Sequence, residues 1–206
     1  MHAWKTHLLL IAIIAAPLSA LADCPALYEV PSDEGKAWLG MSAGGFIAGE
    51  GQSFHLECSS LLVTVSFEII LDGQNWYGVP PLGAGDMLYC EIRTLSGVTL
   101  LSTSRMLDFD VGQRWIIFDF SGHSFELIQG DYLIACYPAF AKQARLAYHQ
   151  SSDLYSEGIR YISENGGAGP WLPADPVHGD LAFQVIALGT VPAESAAWGQ
   201  VKALYR

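Results

Sequence analysis

Trp76 and Tyr77 follow Gln74 and Asn75 in the stretch LDGQNWYGVPPLGAGD, and Trp171 and Asp175 stand in ENGGAGPWLPADPVHGD. Aromatic rings in Gly/Pro-rich loops give sugars a flat apolar platform, while neighbouring Asn, Gln and Asp side chains bond the hydroxyls. Trp76, Tyr77, Asn75, Trp171 and Asp175 are therefore the candidate ligand-binding residues, with a glycan as the ligand class. Tyr155 and Tyr161 flank a short turn and could add to them. The competing account of a loop tryptophan is that it folds back to cap a core. Trp171 facing outward would mark a site; facing inward, it would be a lid.

Catalytic patterns are weaker. SGHSFE sets Ser124 beside His123, but Glu126 stands where the second glycine of a Gly-x-Ser-x-Gly elbow belongs. His55, His123, His149 and His178 are scattered, and nothing local joins one to a nucleophile. Glu68, Glu91, Asp119, Glu126 and Asp180 could supply the two carboxyls of a glycosidase. Glu68 and Glu91 are expected on solvated faces of neighbouring strands. The expectation is a chain without enzymatic activity. Asp72, Asp86, Asp175 and Asp180 at loop ends suit a structural calcium ion, and no other cofactor is expected. His178 and Asp180 of HGD offer a transition metal two ligands and lack a third.

The first residues, MHAWKTHLLLIAIIAAPLSALADC, combine Lys5, an apolar run from Leu8 to Ala16, and small residues at Ala20 and Ala22. That is the pattern of a secretory signal peptide over residues 1–22. A lipoprotein signal is the rival, disfavoured because Asp23 precedes Cys24. No later apolar run is long enough to span a membrane as a helix. The mature protein is expected to be secreted or held at the cell surface. Without Lys5, nine basic residues face 21 acidic ones, a balance that repels nucleic acid and anionic lipid. An even set of four cysteines, Cys24, Cys58, Cys90 and Cys136, with no Cys-x-x-Cys spacing suggests two disulfides in an exported chain. Three pairings are open. Cys24–Cys58 with Cys90–Cys136 is preferred, because Cys90 and Cys136 both sit inside strand-like runs.

These candidates must be carried by strands. QSFHLEC, LLVTVSFEII, MLYCEIRT, RWIIFDF, DYLIACY and DLAFQVIAL show period-two alternation or short β-branched and aromatic runs, bounded by Gly, Pro, Asp and Ser. AFAKQARLAYH is read as a loop entering a strand near Arg145–His149. With no crossover helices, the fold class is all-β, an antiparallel β-sandwich, in one domain over residues 23–190. The remainder, 191–206, places Trp198, Val201, Leu204 and Tyr205 at helical spacing. It is expected to form a short C-terminal helical tail, packing on its own sandwich or docking on a partner.

The order of segments resembles a jelly-roll type seen in many secreted bacterial proteins, some beside surface-anchoring signals. The resemblance rests on QSFHLECSSLLVTVSFEI, MLYCEIRT, WIIFDFSGHSFELIQGDYLIACY and SEGIRYISENGGAGPWLPADPVHGDLAFQV, including the DLAF of the final strand, and covers about residues 45–188. It implies an extracellular accessory or recognition module, with a glycan or another cell-surface protein as partner. The tail is similar to a Trp-Gly-x-Val-Lys-Ala-Leu-Tyr ending of exported bacterial proteins. The expected role is therefore non-catalytic recognition or attachment at the cell exterior. The alternatives are an assembly subunit joined through its tail or a sheet edge and, behind it, a secreted hydrolase.

Overall fold

The computed structural model describes residues 27–31, 35–41, 47–75, 78–140, 142–148, 155–156, 158–174 and 179–189, with backbone alone at 35–41, 47–48, 143 and 147–148. The expected signal peptide, Cys24, Trp76, Tyr77, His149, Asp175, His178 and the tail with Trp198, Val201, Leu204 and Tyr205 lie outside the described residues.

Thirteen strands are described: β1 (Leu27–Val30), β2 (Gly35–Met41), β3 (Ile47–Leu56), β4 (Ser60–Leu71), β5 (Met87–Thr94), β6 (Thr99–Met106), β7 (Gly112–Asp119), β8 (Glu126–Leu127), β9 (Gly130–Pro138), β10 (Gln143–Tyr148), β11 (Arg160–Ser163), β12 (Leu172–Pro173) and β13 (Phe183–Gly189). All their pairings are antiparallel. One sheet is built around β4, with β7 and β8 on one side, β13 and β10 on the other, β1 outside β13 and β2 outside β10. The second runs β6-β5-β9-β3-β11-β12. β3 belongs to both: Ile47 and Ala48 pair with β2, and the residues from Gly49 onward pair in the second sheet. The chain switches sheet repeatedly, as a jelly roll does.

Period two explains the core. Val65, Phe67, Ile69 and Leu71 of β4 point inward, and cross-strand partners Val185 and Phe183 of β13 and Phe118 and Ile116 of β7 share that face. The second sheet answers with Phe54 and Leu56, Leu88, Cys90 and Ile92, and Tyr132, Ile134 and Cys136. Each large apolar side chain removed from water there contributes roughly 1.5–3 kcal/mol.

Two expectations change here. Cys90 and Cys136 are directly opposite in the β5–β9 register, as their strand positions suggested, but both are buried free thiols rather than a disulfide. Burial, then each thiol's anionic neighbours, pushes both well above the ordinary thiol range, so neither reacts while folded. Glu68 and Glu91 do point outward, but from different sheets, and both are covered, at 9% and 8% exposure. They cannot form the paired carboxylates of a glycosidase.

The inner face also holds charge. Glu50, cross-strand from Cys136, is 3% exposed and bonded twice by Arg160, at 2.8 and 3.0 Å. Burial outweighs the guanidinium and pushes its carboxyl up to about 7. Gln52 spans the next gap, donating to Asp180 Oδ1 at 2.7 Å and accepting from the Leu181 amide at 3.0 Å, while Asp180 Oδ2 accepts from the Tyr155 amide. The aspartate of DLAF is thus a buried anchor ahead of the strand, which begins at Phe183.

Candidate functional site

Alternation sends Tyr89, Glu91 and Arg93 of β5, Leu133, Ala135 and Tyr137 of β9, Gly49, Gly51 and Ser53 of β3 and Tyr161 of β11 to the outer face of the second sheet. Residues 164–174 fold back over that face as a flap. The flap contains a single 3-10 turn, Gly166–Ala168, and a cis Gly169–Pro170 bond, and it ends in β12, which pairs with β11. It lays Trp171 against Leu133, Ala135 and Tyr161, with Tyr137 alongside. Glycine makes the seat: a Cβ at Gly49 would stand 2.7 Å from Trp171 Cη2, and one at Gly167 would strike the Tyr137 ring.

Beneath the flap lies a closed polar cluster. Arg93 Nε donates to Glu91 Oε2 at 2.7 Å, and Arg93 Nη2 completes the ion pair; the two side chains are 8% and 11% exposed. Tyr137 donates to Glu91 Oε1 at 2.7 Å and stacks on Tyr89, centroids 5.5 Å apart. Thr99 adds a donor to Glu91 at 3.3 Å. Arg93 then reaches two loops, donating from Nη1 to Gly97 O at 2.9 Å and from Nη2 to Gly167 O, and its guanidinium lies 5.6 Å from the Trp171 ring centroid. Burial, then the Glu91 carboxylate, pushes the Tyr137 phenol upward, so it stays a donor. One group fixes both the 94–98 turn and the flap.

Two clefts open beside the flap. One, about 230 Å³, lies between the 94–98 turn and the flap, lined by Arg93, Leu95, Ser96, Gly97, Pro170 and Trp171. The other, about 250 Å³, is lined by Ser53, Leu95, Asp131, Ser156, Ile159 and Tyr161. Leu95 borders both, so the two clefts adjoin as one surface trough of mixed polar and apolar lining. Asp131, half exposed, has Oδ1 2.7 Å from His55 Nδ1. A third cleft, about 370 Å³, lies along Ile162, Leu172 and Pro170, with Glu164 and Asn165 at its rim.

Of the residues expected to bind ligand, Asn75 is described and exposed, and it lines none of these three clefts. Trp171 is 8% exposed, and its Nε1 is buried without a hydrogen-bond partner. Of the two accounts of Trp171, the inward one holds: it is a lid whose edge lines one cleft. Of the carboxylates considered for calcium, the three described ones are engaged by protein donors. Lys142 bonds both oxygens of Asp86, Arg145 pairs with Asp72 at 3.1 Å, and Asp180 is held as above. Sequence reasoning missed Arg93, Leu95 and Asp131. Arg93 had a signal, a cation two residues from Glu91 on one strand face, but nothing local marks the other two.

Fold and site define a jelly-roll β-sandwich with a lidded outer face and shallow surface clefts. No known protein family and no curated protein sequence matches the chain. Among solved structures it is similar to Cwp84, a surface-layer-associated protein of Clostridium difficile. The structure of that protein's cysteine protease and lectin-like domains aligns at 15% identity and a TM-score of 0.45, over 77% of this chain and 37% of that one. A second Cwp84 structure, after propeptide cleavage, aligns at 14% and 0.44, over 77% and 41%. The chain thus spans less than half the length of those proteins.

Proposed function

We propose that the protein is a non-catalytic recognition or attachment module acting at the cell exterior, and that it binds a glycan through the trough on the outer face of its second sheet. The observation that carries this reading is the pair of clefts meeting at Leu95. Leu95 supplies the exposed apolar surface with the edges of Tyr161 and Trp171 beside it, Ser96, Asp131 and Ser156 supply polar groups, and the buried Arg93 cluster holds the walls. A shallow, open trough of this kind suits a chain of polar rings lying on a surface. Pre-set walls lower the ordering cost of binding.

A polysaccharide panel tests this directly. Leu95 is 43% exposed, so Leu95→Asp should leave melting unchanged while cutting binding at least tenfold. Wild type binding nothing on the panel, or Leu95→Asp binding as well as wild type, would overturn the reading. A second reading, an assembly subunit, draws on β6. Among the described residues its only strand partner is β5, and Ser102, Ser104, Arg105 and Met106 are exposed along it. A free edge can pair with a neighbouring chain. Concentration-dependent self-association that survives Leu95→Asp and is lost on placing proline in β6 would favour it.

A further inference from the structure

We infer that Asp131 makes the trough selective for neutral, hydroxyl-rich saccharides and against acidic ones. The inference rests on the recognition reading above and adds the ligand class. Among the described residues lining the 250 Å³ cleft, Asp131 is the one that is charged. Its Oδ1 is held by His55 Nδ1 at 2.7 Å, which fixes the carboxylate, and the side chain remains 56% exposed. Among the described residues Oδ2 has no partner, so it can accept a hydrogen bond from a ligand hydroxyl. Ser156, whose hydroxyl has no partner among the described residues, lines the same cleft, whereas the Ser53 hydroxyl is spent on the amide and carbonyl of Ile159, at 2.7 and 3.2 Å.

Among the described residues, the only cation lining the adjoining cleft is Arg93, and it does not reverse this preference. Glu91 neutralises its charge, and Nε, Nη1 and Nη2 are committed to Glu91, Gly97 O and Gly167 O. The available electrostatics of the trough are those of an exposed carboxylate on a chain of formal net charge −11. A hydroxyl gains a charge-assisted bond there. A uronate or sulfate meets like charge instead, and electrostatic mismatch of that kind discriminates by repulsion.

The experiment measures equilibrium binding of the exported full chain to neutral soluble glucan, galactan and mannan and to polygalacturonate, at low and at moderate salt. Wild type is compared with Asp131→Asn and Asp131→Ala. Wild type should bind at least one neutral polymer and not polygalacturonate. Asp131→Ala should lose about tenfold or more on the neutral ligand, the usual worth of a hydrogen bond to a charged group. Asp131→Asn should narrow the gap between neutral and acidic polymers, most visibly at low salt. With the side chain half exposed, melting should not move. Neutral binding within twofold of wild type in Asp131→Ala, or wild type preferring polygalacturonate, overturns the inference and leaves the recognition reading standing. Wild type binding no polysaccharide removes both.

Discussion

Replacing Arg93 with Met should be among the most damaging single changes on the outer face, and its size can be worked from the geometry. The Arg93–Glu91 pair is buried on both sides, at 8% and 11% side-chain exposure. Removing one partner of such a pair typically costs about 3–5 kcal/mol, because the other charge stays buried without compensation. Glu91 keeps donors from Tyr137 and Thr99, which argues for the lower half of that range. Against this, Gly97 O and Gly167 O each lose a donor, at roughly 1 kcal/mol apiece where water cannot replace it. A net loss of about 4 kcal/mol follows, a large part of the roughly 5–15 kcal/mol that holds a domain folded. For a domain of this size it lowers melting by about 8–16 °C.

The double variant Glu91→Gln, Arg93→Met removes the orphaned charge and should recover about 2 kcal/mol of that loss. Urea unfolding of wild type, both single variants and the double variant closes the cycle. A loss below about 1 kcal/mol in Arg93→Met, or additive single effects, would refute the claim that these groups form one buried, coupled cluster. The two loops tied by Arg93 give a second readout. Amide exchange at 94–98 and 164–174 should rise together in Arg93→Met, since one guanidinium anchors both.

Two further outcomes follow from groups in the interior. Glu50, raised from 4.5 to about 7 in the fold, holds a proton that the unfolded chain releases. Its contribution is complete below about pH 4.5 and declines as pH rises through 7, by at most about 3 kcal/mol. Unfolding midpoints of wild type and Glu50→Gln across pH 5–8 check this, and an equally flat profile in both would count against it. Cys90 and Cys136, fully buried with thiol ionisation suppressed by that burial, should resist a thiol reagent in the native protein and label only at the rate of unfolding; rapid native labelling would contradict the described packing.

The core strands were legible because period two is a local signal. β4, β5, β7 and β9 stand within two residues of where alternation put them at either end, and the Arg145 segment proved to be β10. β1, β2, β6, β8, β11 and β12 were not foreseen. β6 is an edge strand with mostly polar exposed residues, and β11 and β12 are too short for alternation to register. The cysteine pairing was half legible: strand periodicity brings Cys90 and Cys136 opposite one another, but a residue pattern cannot report whether two facing sulfurs are joined.

The site was hidden for a related reason. An outward-facing strand position is ordinarily solvated, so Glu91 and Arg93 read as surface charge. The flap reverses that by covering the outer face, and its evidence lies some 30 to 122 residues away along the chain from what it covers: Trp171 over Gly49 and Gly51, Gly167 against Tyr137. Gly49 and Gly51 alternate where a strand would ordinarily carry side chains, and their meaning appears only once an indole is set upon them. With its aromatic faces taken up in that seat, the outer face has left for a ligand what the flap does not cover: the trough along Leu95, where a half-exposed carboxylate held by His55 through one oxygen keeps the other for a ligand, and the guanidinium of the adjoining cleft is already neutralised.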